Sequence, residues 1–395
     1  MKKRAIIIVL DGCGIGASPD AKDFSDTGAD TLGHIDSKIN DFSLPFFQSC
    51  GLGCLREFKH VLCEITEKTK AFGKCEERSL AKDTIIGHWE ITGLVTPFSF
   101  PLFPDGFPID FIKSFENAVQ KKVIGNKAAS GTEIINELGR EHLETKALIV
   151  YTSADSVLQI AAHKKVISVS ELYDICHKAR EMLTGSLGVG RVIARPFEGR
   201  EGSFVRTHER RDFSLLPHGK TLLDIMVENG LKTFGIGKIH DIYANVGLSD
   251  YIKTVDNSDG LKKTLKAIKE KNKFDLIYTN LVDTDMLYGH RRDERGFYNA
   301  LKEIDDFFPQ IMDALLPEDI LFITADHGCD PSFSGTDHTR EYVPLFVLGK
   351  EVLQNVDLGI RSSFADIGKT IAGYFKLSST LDGKSFLNKI IKIKA

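Results

Sequence analysis

The chain has 395 residues, with 51 Lys+Arg against 55 Asp+Glu and a formal net charge of -4, a balance that excludes a generic polyanion binder because such proteins present strongly basic faces. The length predicts two or three domains, and a 42% hydrophobic content fills their cores without metal or disulfide staples. The seven cysteines (Cys13, Cys50, Cys54, Cys63, Cys75, Cys176, Cys329) are odd in number and scattered, and read as reduced thiols of a cytoplasmic protein.

The start, Met-Lys-Lys-Arg before Ala5–Leu10, has the basic opening of a signal peptide. Its apolar run is short and passes into Asp11-Gly12 with no small-residue cleavage site, so it predicts a buried first strand. No later stretch approaches the roughly 20 apolar residues of a membrane helix, and a soluble protein is expected. Gly12-Cys13-Gly14-Ile15-Gly16-Ala17 fits the dinucleotide fingerprint, which requires a helix and then a second strand ending in an acidic residue about 20 positions on. Residues 18–40 are polar and offer no strand, so the glycines read as a tight loop beneath Asp11.

Further along, Pro97, Pro101, Pro104 and Pro108 alternate with Phe98, Phe100, Phe103 and Phe107 and mark irregular chain at a domain boundary near residue 100. Leu216-Pro217-His218-Gly219 marks the return. The expected layout is a core from residues 1–99 and 218–395, with 100–217 inserted. Apolar runs predict strands at Leu148–Thr152, Arg191–Ala194, Phe274–Tyr278, Asp319–Thr324 and Pro344–Leu348. Ser168 with Glu171, and Ser363 with Asp366, read as capping boxes opening helices. Phe297, Leu301, Ile304, Phe308, Ile311 and Leu315 recur every three or four residues, predicting a helix with one apolar face and a kink at Pro309. Strands alternating with helices predict an α/β fold with largely parallel sheets.

Carboxylates and imidazoles concentrate in five segments: Asp11; Lys82-Asp83-Thr84-Ile85-Ile86-Gly87-His88-Trp89-Glu90; Asp283-Thr284-Asp285 through His290; Asp326-His327-Gly328; and Asp337-His338. Singly, each Asp is an ordinary turn or cap residue and each His an ordinary satisfied side chain. Their conjunction at strand ends is different, because in open α/β sheets the ligand crevice lies outside the carboxyl ends of the strands. Mixed carboxylate and imidazole donors suit Mn, Fe or Zn rather than Ca, and six of them divide into two sites of three.

These motifs resemble the alkaline phosphatase superfamily and, within it, the phosphopentomutase family. The resemblance rests on the strings at Asp11–Ala21, Lys82–Glu90, Tyr151–Gln159, Gly190–Phe197, Gly237–Ile239, Asn280–Asp285, Gly289–Arg292, Thr324–Gly328 and Thr336–Glu341, and covers nearly the whole chain. It implies an alkaline-phosphatase-like core with an inserted α/β cap and two Mn²⁺ ions per chain. Asp285, His290 and His338 would hold one ion, and Asp11, Asp326 and His327 the other, with Thr84 as nucleophile. The implied reaction interconverts (2-deoxy-)α-D-ribose 1-phosphate and the 5-phosphate through a 1,5-bisphosphate, primed by a sugar bisphosphate such as glucose 1,6-bisphosphate. Among the cap's arginines, Arg191, Arg195 and Arg206 are expected at the distal phosphate, because guanidinium forks suit bidentate phosphate binding. Ser153 and Asp155 are expected at the sugar hydroxyls and Lys238 at the phosphoryl group. The expected partners are small pentose phosphates, with neither nucleic acid nor membrane, and the chain is expected to be monomeric. Rival readings are a metal-dependent phosphatase or phosphodiesterase on the same core, and a cofactor-independent phosphoglycerate mutase, which uses a serine in an Asn-Ser string. The family often carries a second hydroxyl residue two places after the nucleophile; here that position is Ile86, leaving Thr84 alone in the string. Cys13 and Cys329 depart from the pattern beside the metals.

Overall fold

Arg4–Leu10 is a strand buried along its whole length, flanked by the parallel strands Leu276–Leu281 and Asp319–Thr324. A continuous apolar run is what a strand covered on both faces requires. The computed structural model describes residues 2–153 and 156–392, which divide into two units, one built from the segments up to Phe98 and from Pro217 onward, the other from Ser99–Leu216.

The first unit holds an eight-stranded sheet. Its spatial order is Asp250–Ile252, Thr233–Ile236, Leu276–Leu281, Arg4–Leu10, Asp319–Thr324, Val343–Leu348, Ala71–Cys75, Val356–Arg361. Neighbours run parallel except at Val343–Leu348, which is antiparallel to both of its partners. The expected helix spans Glu294–Ala314 and continues through Pro309, with Phe297, Leu301, Ile304, Phe308 and Ile311 buried on one face. Residues 18–40 contain the helix Thr31–Lys38 and no strand.

Two expectations are corrected. Ser363 does not cap its helix as a box with Asp366: Ala365–Tyr374 starts one residue later than that box requires, and Ser363 Oγ accepts from Ala365 N (3.0 Å) while donating to buried Glu90 Oε1 (2.7 Å). The capping box of this unit is instead Thr221 with Asp224. Nor are all the cysteines free thiols: Cys54 and Cys63 form a disulfide, while the other five are free and buried. The turn after Leu52–Leu55 brings their Cα atoms to 4.4 Å, within disulfide reach, and a spacing of nine residues carries no signal of that.

The second unit has a mixed sheet ordered Val123–Ala128, Leu148–Thr152, Val157–His163, Arg191–Glu198, Val205–Arg206, with Arg211–Ser214 also paired to Arg191–Glu198. Leu148–Thr152 alternates in direction between two cores, as the two-residue period of a strand dictates. Leu148 and Val150 pack with the helices Ile109–Val119 and Val169–Met182, whereas Ile149 and Tyr151 pack with Gly131–Thr145. Ser168 caps Val169–Met182 by accepting from Glu171 N. The proline-rich stretch forms no helix or strand between Ile91 and Ile109. Among the described residues no helix is long and apolar enough to cross a membrane.

Candidate active site

Four segments of the first unit deliver the donors. Asp11 follows the first strand, Asp326 and His327 follow Asp319–Thr324, and Asp285 lies in a π-type turn, Thr284–Gly289, just beyond Leu276–Leu281. His290 ends that turn. His338 is held beside His327 by a two-way backbone pairing of Gly328 with Thr339, and the two imidazoles stack with centroids 3.8 Å apart. The donor atoms of Asp11, Asp326 and His327 lie within 4.8 Å of one another, as do those of Asp285, His327 and His338, and of Asp285, His290 and Cys329. Asp285 Oδ1 is 3.4 Å from His290 Nε2 and 3.5 Å from His338 Nε2.

The hydrogen-bond network aims these donors. Each of the three imidazoles has Nδ1 beside a backbone carbonyl: His290 at Thr336 O (2.6 Å), His327 at Gly328 O (3.0 Å) and His338 at Lys82 O (3.0 Å). A carbonyl can only accept, so Nδ1 carries the hydrogen and Nε2 is left with its lone pair toward the cluster. Two buried carboxylate oxygens, Asp11 Oδ1 and Asp285 Oδ1, have no hydrogen-bond donor, and Asp326 Oδ2 has only His88 Nδ1 at 3.1 Å. Buried anionic oxygens without partners are costly unless a cation answers them, so this set of acceptors fits a pair of divalent metal ions.

Electrostatics agree. Burial, then Asp326 and Asp285, push the Asp11 carboxyl up to about 7. Burial also acts on Asp285, yet His338 and His290 hold it well below the usual carboxylate range. Burial and the nearby His327 push His338 down to about 4. Against burial, Asp326 and Asp11 raise His327. A metal must displace the protons of Asp11 and His327, so protons compete with it below about pH 7. The sign is the same in stability: with its pKa above the unfolded value, Asp11 favours the metal-free fold at low pH and loses that contribution as pH rises through about 7. Calorimetric titration with Mn²⁺ in two buffers of different ionisation enthalpy is therefore expected to show proton release and weaker binding at pH 6 relative to pH 8.5. Equal affinity and no proton release at the two pH values would contradict the three-carboxylate pocket.

Thr84 is the first residue of the helix Thr84–Ile91, whose N-cap, Asp83, accepts from Ile85 N and Ile86 N. Its Oγ1 lies 3.1 Å from His327 Nε2. The helix comes this close because residue 87 is glycine: a Cβ there would stand 2.1 Å from Asp326 O. The glycine loop after Asp11 has two left-handed positions, Gly12 and Gly16, and closes on Glu341, which accepts from Gly16 N (3.0 Å), Thr31 N (2.9 Å), Thr31 Oγ1 (2.7 Å) and Thr339 Oγ1 (2.7 Å). Lys238, in the same unit, acts on Asp11 through its charge and draws the carboxyl down.

The remaining candidates fall in the second unit. Arg195 Nε donates to Gln159 Oε1 (3.0 Å), and burial, then Arg210, push its guanidinium down to about 10. Arg191 Nη1 is 3.6 Å from Asp212 Oδ2, and Arg210 forks onto the same carboxylate. Arg206 is exposed on Val205–Arg206. Ser153 follows Leu148–Thr152 and is half-buried; Asp155 lies outside the described residues. Sequence reasoning assigned no role to Tyr151, whose buried hydroxyl lies beside Arg195 and Arg206, or to Asn280, His88 and Arg340, described below. The only signal for the last two was membership of the strings around Thr84 and His338. Cys329 is buried, its thiol pushed up by burial and Asp285, and its sulfur is one of the atoms grouped with Asp285 and His290.

A cluster of carboxylate and imidazole donors suited to divalent metals at the carboxyl ends of an open α/β sheet, with a hydroxyl at a helix start against it, is the site of a metalloenzyme, and the Metalloenzyme superfamily model matches residues 3–379. Two solved structures share the fold at low identity. One is the PH0037 protein from Pyrococcus horikoshii (TM-score 0.52, 15% identity, 97% of this chain and 100% of that one). The other is a Leishmania mexicana phosphoglycerate mutase (TM-score 0.50, 11% identity, 100% and 98%). Much closer in sequence are the phosphopentomutases of Acetivibrio thermocellus, 52% identical over 393 residues (98% of this chain, 100% of that protein), and Desulfitobacterium hafniense strain DCB-2, 53% over 389 residues (98% and 100%). The chain belongs to the phosphopentomutase family, a family of isomerases.

Proposed function

We propose that the chain interconverts (2-deoxy-)α-D-ribose 1-phosphate and (2-deoxy-)D-ribose 5-phosphate through phosphorylated Thr84 and a 1,5-bisphosphate. The observation that carries this is the Thr84 hydroxyl, at a helix start 3.1 Å from His327 Nε2 and in the same unit as the buried carboxylates of Asp11, Asp285 and Asp326. Two Mn²⁺ ions are the proposed metals, with Asp11, Asp326 and His327 holding one and Asp285, His290 and His338 the other. When bound they lower the hydroxyl's pKa and neutralise phosphoryl oxygens, which a threonine at pH 7 needs.

The residues act in sequence. Phospho-Thr84 sits where the helix dipole favours an anion. The free 5-hydroxyl of ribose 1-phosphate attacks its phosphorus; the Thr84 Oγ1–P bond breaks, a sugar O–P bond forms, and the hydroxyl proton is released. The bisphosphate then returns its carbon-1 phosphate to Thr84, and the anomeric oxygen regains a proton, leaving the 5-phosphate. Arg191, Arg195 and Arg206 are proposed for the phosphate not in transfer, supported for Arg191 and Arg195 by their grouping with Arg210 around Asp212 and for Arg206 by its charge beside Arg195. Ser153 and Asp155 are proposed for sugar hydroxyls and Lys238 for the phosphoryl group. The unit from both chain ends would thus carry the metals and Ser99–Leu216 the substrate phosphate. A sugar bisphosphate such as glucose 1,6-bisphosphate would prime the enzyme, which we place in the cytoplasm as a monomer. A plain phosphatase or phosphodiesterase would use the same donors, but family membership and the arginine group favour the mutase.

Mass spectrometry after incubation with glucose 1,6-bisphosphate and Mn²⁺ tests this. One phosphate on Thr84, discharged by ribose 1-phosphate as ribose 5-phosphate appears, is the expected result. An active enzyme that never carries phosphate on Thr84 would overturn it.

A further inference from the structure

His88, on the helix that begins with Thr84, and Asn280, on the strand Leu276–Leu281, meet beside the metal donors. Asn280 Nδ2 donates to Asp11 Oδ2 (2.9 Å) and lies 3.2 Å from His88 Nε2. His88 Nδ1 lies 2.8 Å from Thr84 O and 3.1 Å from Asp326 Oδ2. All three side chains that meet here, His88, Asp11 and Asp326, are fully buried, and Asn280 is 1% exposed. The hydrogen positions follow from the neighbours. Both groups near Nδ1 are acceptors, so Nδ1 carries the hydrogen, and Nε2 then accepts from the Asn280 amide. Flipping that amide would set Oδ1 against the Asp11 carboxylate and leave His88 Nε2 without its donor. Tyr243 Oη donates to His88 O, and the Tyr278 ring stacks on the imidazole at 5.7 Å, so the ring has little freedom to turn.

From this geometry we infer that His88 and Asn280 are positioning residues, a buried amide–imidazole bridge that fixes the two carboxylates of the Asp11, Asp326, His327 group relative to each other and to the first turn of the Thr84 helix. The bridge occupies Asp11 Oδ2, leaving Oδ1, which has no hydrogen-bond donor, for the ion. It also places a hydrogen beside Asp326 Oδ2 and Thr84 O together, so carboxylate and nucleophile move as one body. Such outer partners hold ligand orientation, and their loss weakens metal binding about 10–100-fold in known sites. The inference rests on the proposed metal reading of these donors.

The test titrates the full, metal-stripped chain with Co²⁺ alone, following visible absorption and equilibrium dialysis. The unsubstituted chain is expected to take two ions. His88→Leu and Asn280→Ala are expected to take one ion as before and the other about 10–100-fold more weakly. His88→Gln, whose amide can accept from Asn280 and donate toward Thr84 O, is expected to recover most of the loss. A merely structural role would lower thermal stability while leaving both affinities and the Co²⁺ spectrum alone, and that outcome overturns the inference. Should His88→Leu fail to fold, Asn280→Ala decides alone. Failure of the unsubstituted chain to take two ions would instead sink the metal reading, and the bridge with it.

Discussion

Thr84→Val is expected to lose mutase turnover by on the order of 10⁴-fold or more while melting within a degree or two of the unsubstituted protein. Valine keeps the volume and β-branching of threonine, so the half-buried position at the helix start is still filled and only the oxygen 3.1 Å from His327 Nε2 is gone. No neighbour can stand in: Ile85, Ile86 and Gly87 complete the turn, and none carries a hydroxyl. The donors that fit a metal are untouched, so Mn²⁺ stoichiometry should not change. Thr84→Ser restores the hydroxyl without the methyl and is expected to stay within about tenfold of the parent, because the lost contact is one methyl group and the nucleophile remains. Turnover, metal content and melting temperature of the three proteins separate a chemical role for the oxygen from a packing role. Substantial mutase activity in Thr84→Val would remove Thr84 from the reaction.

The parts of this site that were legible are those where chemistry follows a strand directly. Asp11 and Asp326-His327 come straight after fully buried apolar runs, and a strand end is a fixed place in an α/β fold. His338 is harder to place from sequence, because its position depends on the Gly328–Thr339 pairing, and nothing local announces that bridge. The direction of Val343–Leu348 was equally hidden: a strand buried on both faces looks the same whether it runs with or against its neighbours. Ala71–Cys75 escaped notice because Gly73 and Lys74 interrupt it, and Asp250–Ile252 because it is an exposed edge. The bridge of Asn280 and His88 is a contact between residues 192 positions apart, so the two family-like strings that hold them gave no sign that they meet. The Cys54–Cys63 pairing likewise depends on a turn that composition does not encode.

The deepest dependence of the site on remote parts of the chain runs through Arg340, and Arg340→Met is expected to destabilise the fold by about 3–5 kcal/mol. Its side chain is 1% exposed and its guanidinium donates to Glu77 Oε2 (2.6 Å), Glu77 O (2.6 Å), Ala81 O (2.8 Å) and both oxygens of Asp20. Its backbone N donates to Asp26 Oδ2, which also takes Lys82 Nζ. These bonds tie the segment just before Thr84 to the segment just after His338, whose own Nδ1 rests on Lys82 O. Methionine fills similar space but leaves Glu77 buried beside no cation. Burial already holds the Glu77 carboxyl well above its ordinary range with Arg340 pulling the other way, so in the variant it keeps its proton to still higher pH. A raised folded pKa stabilises at low pH and ceases to do so as pH climbs, so the deficit of Arg340→Met relative to the parent should widen from pH 5 to pH 8. Arg340→Lys is expected to recover little, since one ammonium cannot span two carboxylates and two carbonyls at once. Urea unfolding of metal-free protein at the two pH values measures both effects. A deficit under about 1 kcal/mol, or one that narrows with rising pH, would show that Glu77 and Asp20 find other partners and that the Thr84 segment is held from elsewhere.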